Sequence, residues 1–78
     1  MAGVEPTEVL DCRGQSCPLP VLKTKKAIGR LAPGDVLKVL ATDPGSPRDI
    51  KKLSDQTGDE LIETEEHFGE FVFWIRKR

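Results

Sequence analysis

The stretch that decides the fold covers residues 7–42, TEVLDCRGQSCPLPVLKTKKAIGRLAPGDVLKVLAT, and it predicts a strand, a helix and a second strand. Residues 7–12 are short and β-branched at their centre, as strands often are. Residues 35–42 are nearly continuous in apolar side chains, which indicates a strand inside a sheet. Between them, apolar residues recur at helical spacing over residues 18–31, until a proline–glycine pair ends the helix. Such a βαβ unit places its helix on one side of two parallel strands.

A second helix is predicted from the residues that mark its two ends. Ser46 is the expected N-cap, Pro47 takes the first helical position, and Asp49 is the acidic residue three positions after the cap. Gly58 is the expected C-cap, because glycine readily adopts the left-handed conformation that ends many helices.

Two further strands, over residues 60–65 and 70–77, complete the order βαβαββ, with a tight connection at residues 66–69. Both helices are amphipathic and need the same sheet face to bury their apolar stripes. We therefore expect an α+β fold, a two-layer sandwich with two helices on one face of a mixed four-stranded sheet. The other face stays mostly open, and Trp74 lies on it either as a partner contact or as an aromatic that covers the sheet edge.

Length and charge exclude several classes of protein. The 78 residues are expected to form one domain, residues 1–78, with a loose leader at residues 1–6. Twelve Lys and Arg against 13 Asp and Glu argue against direct nucleic-acid binding, which needs a surplus of positive charge. No apolar run reaches the roughly 18 residues of a membrane span, and no signal peptide is visible, so a cytoplasmic protein is expected.

Few residues in the chain could support metal or hydrolytic chemistry. The only histidine, His67, lies in the predicted tight connection and far in sequence from both cysteines, so a Cys–His dyad is not favoured over a solvated turn residue. Two cysteines and one histidine do not make a closed zinc set, and no glycine-rich phosphate loop is present. We expect no metal and no cofactor.

The residues best suited to chemistry are Cys17, Pro18, Leu19 and Pro20, at the junction of the first strand and the first helix. Pro18 bars Cys17 from the α region, so the thiol lies just ahead of the helix. The positive end of the helix dipole there favours the thiolate. This predicts modest thiolate stabilisation and high exposure, which suit a residue that carries a group. The alternative is an ordinary capping cysteine in a proline-rich turn.

Residues 10–20, LDCRGQSCPLP, resemble the signature of the TusA/SirA-like family of small sulfur carriers, whose motif is CPxP. The likeness continues through residues 33–35, 43–44 and 75–77 and covers almost the whole chain. It implies the βαβαββ sandwich and a persulfide on Cys17. The sulfur would come from a cysteine desulfurase or a rhodanese and pass to a downstream acceptor protein, for tRNA thiolation, molybdenum-cofactor assembly or dissimilatory sulfur oxidation.

The resemblance leads us to expect a sulfurtransferase that acts within a relay and has no independent turnover. Cys17 is then the persulfide carrier, and the residues that position it are Arg13, Gly14, Pro18, Leu19 and Pro20. The alternative is a non-catalytic regulatory or protein-interaction module with the same fold, in which Trp74 and the open sheet face form the contact surface.

The second cysteine, Cys12, shares a strand face with Leu10 and should therefore point into the core, buried and inert. The rival interpretation is a resolving thiol, which would release sulfide and leave a disulfide between Cys12 and Cys17. The strand face and the turn after it should keep the two thiols apart, so this geometry is expected to fail.

Three basic residues, Lys23, Lys26 and Arg30, recur on one outward face of the first helix, with Lys25 beside them. They form either a solvated face or a docking strip for partner enzymes. Positive charge near the start of this helix would also favour an anionic persulfide.

Overall fold

Six elements follow in the predicted order in a computed structural model that describes residues 5–78. They are β1 (Glu8–Cys12), α1 (Leu19–Gly29), β2 (Val36–Ala41), α2 (Ser46–Thr57), β3 (Glu60–His67) and β4 (Glu70–Arg76). Of the predicted leader, residues 1–4 lie outside the described residues. No helix within residues 5–78 has the length and apolar character that crossing a membrane requires.

The four strands form one mixed sheet in the order β1-β2-β4-β3. β1 pairs with β2 in parallel, with Leu10 opposite Val39. β4 runs antiparallel to both β2 and β3, and a bulge between Leu61 and Glu63 interrupts the last pairing. β2 and β4 are therefore the central strands. The apolar run in β2 predicted the internal position of that strand.

Both helices cover the same face of this sheet, which confirms the predicted two-layer sandwich. The core between the layers consists of ten buried residues from β1, α1, β2, α2 and β4: Cys12, Ala27, Ile28, Leu37, Val39, Ala41, Ile50, Phe71, Phe73 and Ile75. Alternate residues of the strands reach this layer, because successive side chains of a strand point to opposite faces.

The start of α2 differs from the prediction by one residue. Gly45 is the N-cap, and Ser46 is the first helical residue, with a buried side chain. The prediction of Ser46 as N-cap was wrong because Asp43 makes the turn: its Oδ2 accepts a hydrogen bond from the Gly45 N–H at 3.1 Å. Asp49 does lie in the first helical turn, and Gly58 ends the helix with φ +81°.

The predicted role of Trp74, as an exposed partner contact or a cover for the sheet edge, was also wrong. Its side chain lies on the sheet face away from the helices, but only 6% of the residue is exposed. The strand order gives the reason, because β4 is a central strand and has neighbours on both sides. Lys38 on β2 places its Nζ 4.9 Å from the centroid of the indole ring, a cation–π arrangement. Trp74 is therefore covered and does not form an exposed contact surface.

The connection between β3 and β4 is shorter than predicted, and it is a two-residue hairpin turn formed by Phe68 and Gly69. Both residues have positive φ, +52° and +84°, as a type I′ turn requires. His67 is thus not a turn residue but the last residue of β3, exposed and paired with Glu65 at 3.2 Å. Phe68 is fully exposed, so no packing compensates for its left-handed backbone.

Replacing Phe68 with Asn should therefore stabilise the protein. Asn tolerates the left-handed conformation and precedes glycine in the preferred hairpin turn, so we expect the free energy of unfolding to rise by about 1 kcal/mol. Denaturant unfolding measures this change. Phe68→Ala is the matched control, because it removes the ring and leaves the backbone conflict in place. Equal stability of the Asn and Ala variants would contradict the interpretation.

Candidate functional site

The loop between β1 and α1 is fixed to the end of β2 before it reaches Cys17. Gly14 adopts φ +80°, a conformation that glycine accepts without steric conflict, and its N–H donates to Thr42 Oγ1 at 2.9 Å. The Gln15 N–H donates to the carbonyl of Cys12 at 3.2 Å and closes the turn. Gly14 therefore ties the loop to the residue after β2, and its role in positioning Cys17 stays a prediction.

Arg13 braces the same loop through ion pairs. Its guanidinium donates to both carboxylate oxygens of Asp11, at 3.0 and 2.9 Å, and its backbone N–H donates to Oδ1 at 3.0 Å. These hydrogen bonds lower the pKa of Asp11 to about 2. Arg13 also lies 3.7 Å from a carboxylate oxygen of Glu70 at the start of β4. Arg13 thus joins the loop to β1 and β4.

The two prolines of the motif bound the start of α1. Pro18 is the N-cap, its peptide bond with Cys17 is cis, and Pro20 lies in the first turn. The Leu19 N–H donates to the carbonyl of Ser16 at 3.0 Å. Cys17 therefore lies immediately ahead of the helix, where the sequence placed it. Pro18 and Leu19 are exposed beside Cys17, whereas Pro20 is buried and anchors the turn.

The helix itself is shorter than the predicted range 18–31. It ends at Gly29, and Arg30 is the C-cap residue. The Arg30 N–H donates to the carbonyl of Ala27 at 3.1 Å, and the Leu31 N–H donates to the carbonyl of Ile28 at 3.1 Å.

Cys17 borders a groove between the start of α1 and one side of α2. The groove has a volume of about 260 Å³. Its lining combines apolar and polar side chains from the two helices: Cys17, Pro18, Val21, Asp49, Lys52, Leu53 and Gln56. The residues from α2 include both a negative and a positive side chain, so Cys17 borders charged groups as well as solvent.

The thiol of Cys17 is more basic than the sequence predicted. Its hydrogen bond to the Asp49 carboxylate raises the pKa of Cys17 above the ordinary cysteine value, and desolvation and the charges of Asp49 and Asp43 act in the same direction. Arg48 opposes them. The expected stabilisation of the thiolate is therefore wrong.

Two features explain why the pKa of Cys17 is raised and not lowered. Pro18 and Pro20 have no N–H groups, so the start of α1 offers fewer donors to an anion than an ordinary helix does. The start of α2 supplies carboxylates to the same place. Asp49 was recognised in the sequence only as a helix-start residue. The signal that could have located it is the parallel βαβ arrangement, which brings the starts of both helices to one edge of the sheet.

Cys12 and Cys17 have opposite environments. Both are free thiols, but Cys12 is fully buried at the end of β1 and Cys17 is exposed. Burial raises the pKa of Cys12, and the charge of Lys23 only partly offsets that effect. The burial of Cys12 is as predicted. Its chemical inertness stays a prediction.

The three basic residues predicted to dock partners, Lys23, Lys26 and Arg30, differ in their contacts. Lys23 and Lys26 are exposed on α1, and two apolar side chains of the same helix, Leu19 and Leu22, are 46% and 56% exposed. Arg30 instead forms an ion pair with Glu8 of β1 at 2.9 Å. Arg30 thus joins the end of α1 to the sheet, whereas Lys23 and Lys26 stay exposed on the helix.

Comparison with known proteins shows which family this chain resembles. The family model described as sulfurtransferase TusA matches residues 8–77. The chain is 48% identical to the sulfur carrier protein TusA of Allochromatium vinosum, with 87% of this chain and 90% of that protein covered. It is 44% identical to the sulfur carrier protein TusA of Pseudomonas putida strain GB-1, with 100% and 98% covered.

A solved structure gives the same result for the fold. The crystal structure of a SirA-like protein from Desulfitobacterium hafniense superimposes with a TM-score of 0.79 at 31% identity, over 88% of this chain and 95% of that one. With the family model matching nearly the whole chain, and with relatives that are 48% and 44% identical, this protein belongs to the TusA family of sulfurtransferases.

Proposed function

We propose that this chain is a cytoplasmic sulfur carrier that holds sulfur as a persulfide on Cys17 and relays it between partner proteins. The observation that supports this most strongly is the contrast between the two cysteines: Cys17 is exposed ahead of α1, and Cys12 is fully buried. Nucleophilic attack on sulfur requires an accessible sulfur atom. Of the two cysteines, Cys17 alone meets this requirement in the folded protein.

Loading is a thiol–persulfide exchange with a donor that carries a cysteine persulfide, either a cysteine desulfurase or a rhodanese. The Cys17 sulfur attacks the outer sulfur of the donor, and the donor's sulfur–sulfur bond breaks with its electron pair on the donor cysteine. The proton of the Cys17 thiol passes to that donor cysteine. The product is a persulfide on Cys17 and a free thiol on the donor, with no net oxidation.

Delivery repeats the exchange in the other direction. A thiol of the downstream acceptor protein attacks the outer sulfur on Cys17, and Cys17 leaves as a thiol. Destinations for the sulfur are tRNA thiolation, molybdenum-cofactor assembly or dissimilatory sulfur oxidation. The protein acts as a sulfurtransferase inside the relay, and it needs no metal or cofactor for either exchange.

The surface around Cys17 suits partners that bring their own cysteine. The groove of about 260 Å³ leaves space beside the sulfur for a segment of a partner chain. On α1, exposed Leu19 and Leu22 lie among the positive charges of Lys23 and Lys26. An apolar centre with a charged rim is common at protein interfaces. We propose that this face docks an acidic surface of the donor or acceptor. Direct nucleic-acid binding is not proposed, because the net charge is −1.

The alternative of a non-catalytic interaction module is not proposed. Its contact surface would be centred on Trp74, and the burial of Trp74 beside Lys38 removes that residue from the surface.

Sulfur loading followed by intact-mass measurement tests the carrier function. After incubation with a cysteine desulfurase and cysteine, the wild type and Cys12→Ala should each gain the mass of one sulfur atom, which dithiothreitol removes. Cys17→Ser should remain folded and gain nothing, because it lacks the accessible sulfur.

The same spectra distinguish the resolving-thiol mechanism. Loss of two hydrogens and release of sulfide in the wild type, with sulfur retained only in Cys12→Ala, would show that Cys12 resolves the persulfide. Loading of Cys17→Ser would overturn the assignment of the carrier residue.

Charge reversal on α1 tests the docking face. Lys23→Glu and Lys26→Glu should each slow sulfur loading from the desulfurase several-fold at low salt, since charges at an interface mainly change the association rate. Raising the salt should reduce this difference, because exposed charges are screened beyond about 8 Å at physiological ionic strength. Lys51→Glu on α2 makes the same charge change away from the face and serves as the control. An equal effect of all three substitutions would contradict a docking face.

A further inference from the structure

Asp49 is the acidic residue that the structure brings to the proposed sulfur site. It lies in the first turn of α2, where its N–H donates to the carbonyl of Gly45 at 3.0 Å. Its side chain lines the groove that Cys17 also borders. Cys17 lies in the connection from β1 to α1 and Asp49 at the start of α2, and they meet because β1 and β2 are parallel and end at the same edge of the sheet.

The Asp49 carboxylate and the Cys17 thiol line the same groove, and hydrogen bonding to Asp49 is the largest cause of the raised pKa of Cys17. The other charged groups that act on the sulfur come from the same side of the groove. Asp43, before α2, adds negative charge, and Arg48 opposes it. Lys52, one turn along α2, lines the groove. On the α1 side, Pro18 and Val21 line the groove beside Cys17, and neither carries a charge.

We propose that Asp49 is the positioning residue of the unloaded carrier: its carboxylate holds the Cys17 thiol in the groove until a docked partner displaces it. This proposal rests on the carrier function proposed above, and it adds a residue that controls when the cysteine becomes reactive. A carrier with a permanently ionised, exposed thiol would react with any small disulfide or oxidant. The contact with Asp49 keeps the free thiol protonated outside the partner complex.

The same contact distinguishes the unloaded from the loaded protein. Once Cys17 carries a second sulfur, its own sulfur has no proton to donate, and the hydrogen bond to Asp49 is lost. The outer sulfur of an ionised persulfide is then repelled by the carboxylates of Asp49 and Asp43, because like charges at close range disfavour each other. Loading thus turns the sulfur out of the groove, towards an acceptor.

The pH dependence of alkylation tests this proposal. Rates with iodoacetamide are measured from pH 6 to pH 10 in a Cys12→Ala background, so that only Cys17 reacts. Adding Asp49→Asn removes the negative acceptor, so the pKa of Cys17 should fall. The profile should then move to lower pH, and the rate at pH 7 should rise several-fold. Asp49→Glu restores a carboxylate, so its profile should lie closer to that of the unchanged protein.

Asp55→Asn is the matched control, since Asp55 lies on α2, pairs with Lys51 at 2.6 Å and does not line the groove. It should leave the profile unchanged. A purely structural role for Asp49 would change the thermal midpoint without moving the profile. Should Asp49→Asn fail to fold, Asp43→Asn replaces it, because it removes a second negative charge near the sulfur and should move the profile in the same direction by less.

A profile of Asp49→Asn that coincides with that of the unchanged protein, or an equal shift in Asp55→Asn, would overturn the proposal. Sulfur loading of the same proteins separates this result from failure of the carrier function. If the alkylation profile shifts but the proteins take up no sulfur, the carrier function is contradicted and the contact with Asp49 is supported. If the proteins take up sulfur normally but the alkylation profile does not shift, the carrier function is supported and the role of Asp49 is contradicted.

Discussion

The parallel pairing of β1 with β2 brings the ends of both strands, and therefore the starts of both helices, to one edge of the sheet. The register is fixed by the core, because a shift of one residue would turn Leu37 and Val39 away from the helices. Cys17 lies at one of these helix starts and Asp49 at the other. The groove, the contact between thiol and carboxylate and the exposure of the cysteine all depend on this arrangement.

Two opposing effects act on the pKa of Cys17: the start of α1 lowers it, and nearby carboxylates raise it. A helix N-terminus contributes roughly half an elementary charge, carried by its unpaired N–H groups. In α1 the prolines at positions 18 and 20 remove two of those groups. The start of α2 brings the full charges of Asp43 and Asp49 to the same sulfur. The carboxylates therefore outweigh the helix end, and the pKa of Cys17 lies above its ordinary value.

The order of helices and strands could be predicted from the sequence because each element depends on local patterns. The spacing of apolar residues, the breaker pair after α1 and the glycine at the end of α2 all have short-range causes. The burial of Cys12 follows from its strand face. Similarly, the position of Cys17 ahead of α1 follows from the proline after it.

Features that depend on strand order or on loop geometry could not be predicted in this way. Trp74 is covered because β4 lies between β2 and β3, an order that no local pattern encodes. The cap of α2 depends on a side-chain turn at Asp43, and the position of Arg30 depends on Glu8 of a distant strand. Asp49 becomes part of the site only when α2 packs beside α1.

The central claim is that Cys17 is displayed at the edge of the sheet as a thiol that the carboxylates before and in α2 keep protonated. The most direct measurement is an NMR titration of the protein labelled with carbon-13 at the cysteine Cβ atoms, with Cys12 replaced by alanine. The account predicts that the Cys17 signal titrates with a pKa above that of an unperturbed cysteine, in line with the hydrogen bond to Asp49. A pKa below that of an unperturbed cysteine would contradict the account, because it would show that the start of α1 outweighs the carboxylates.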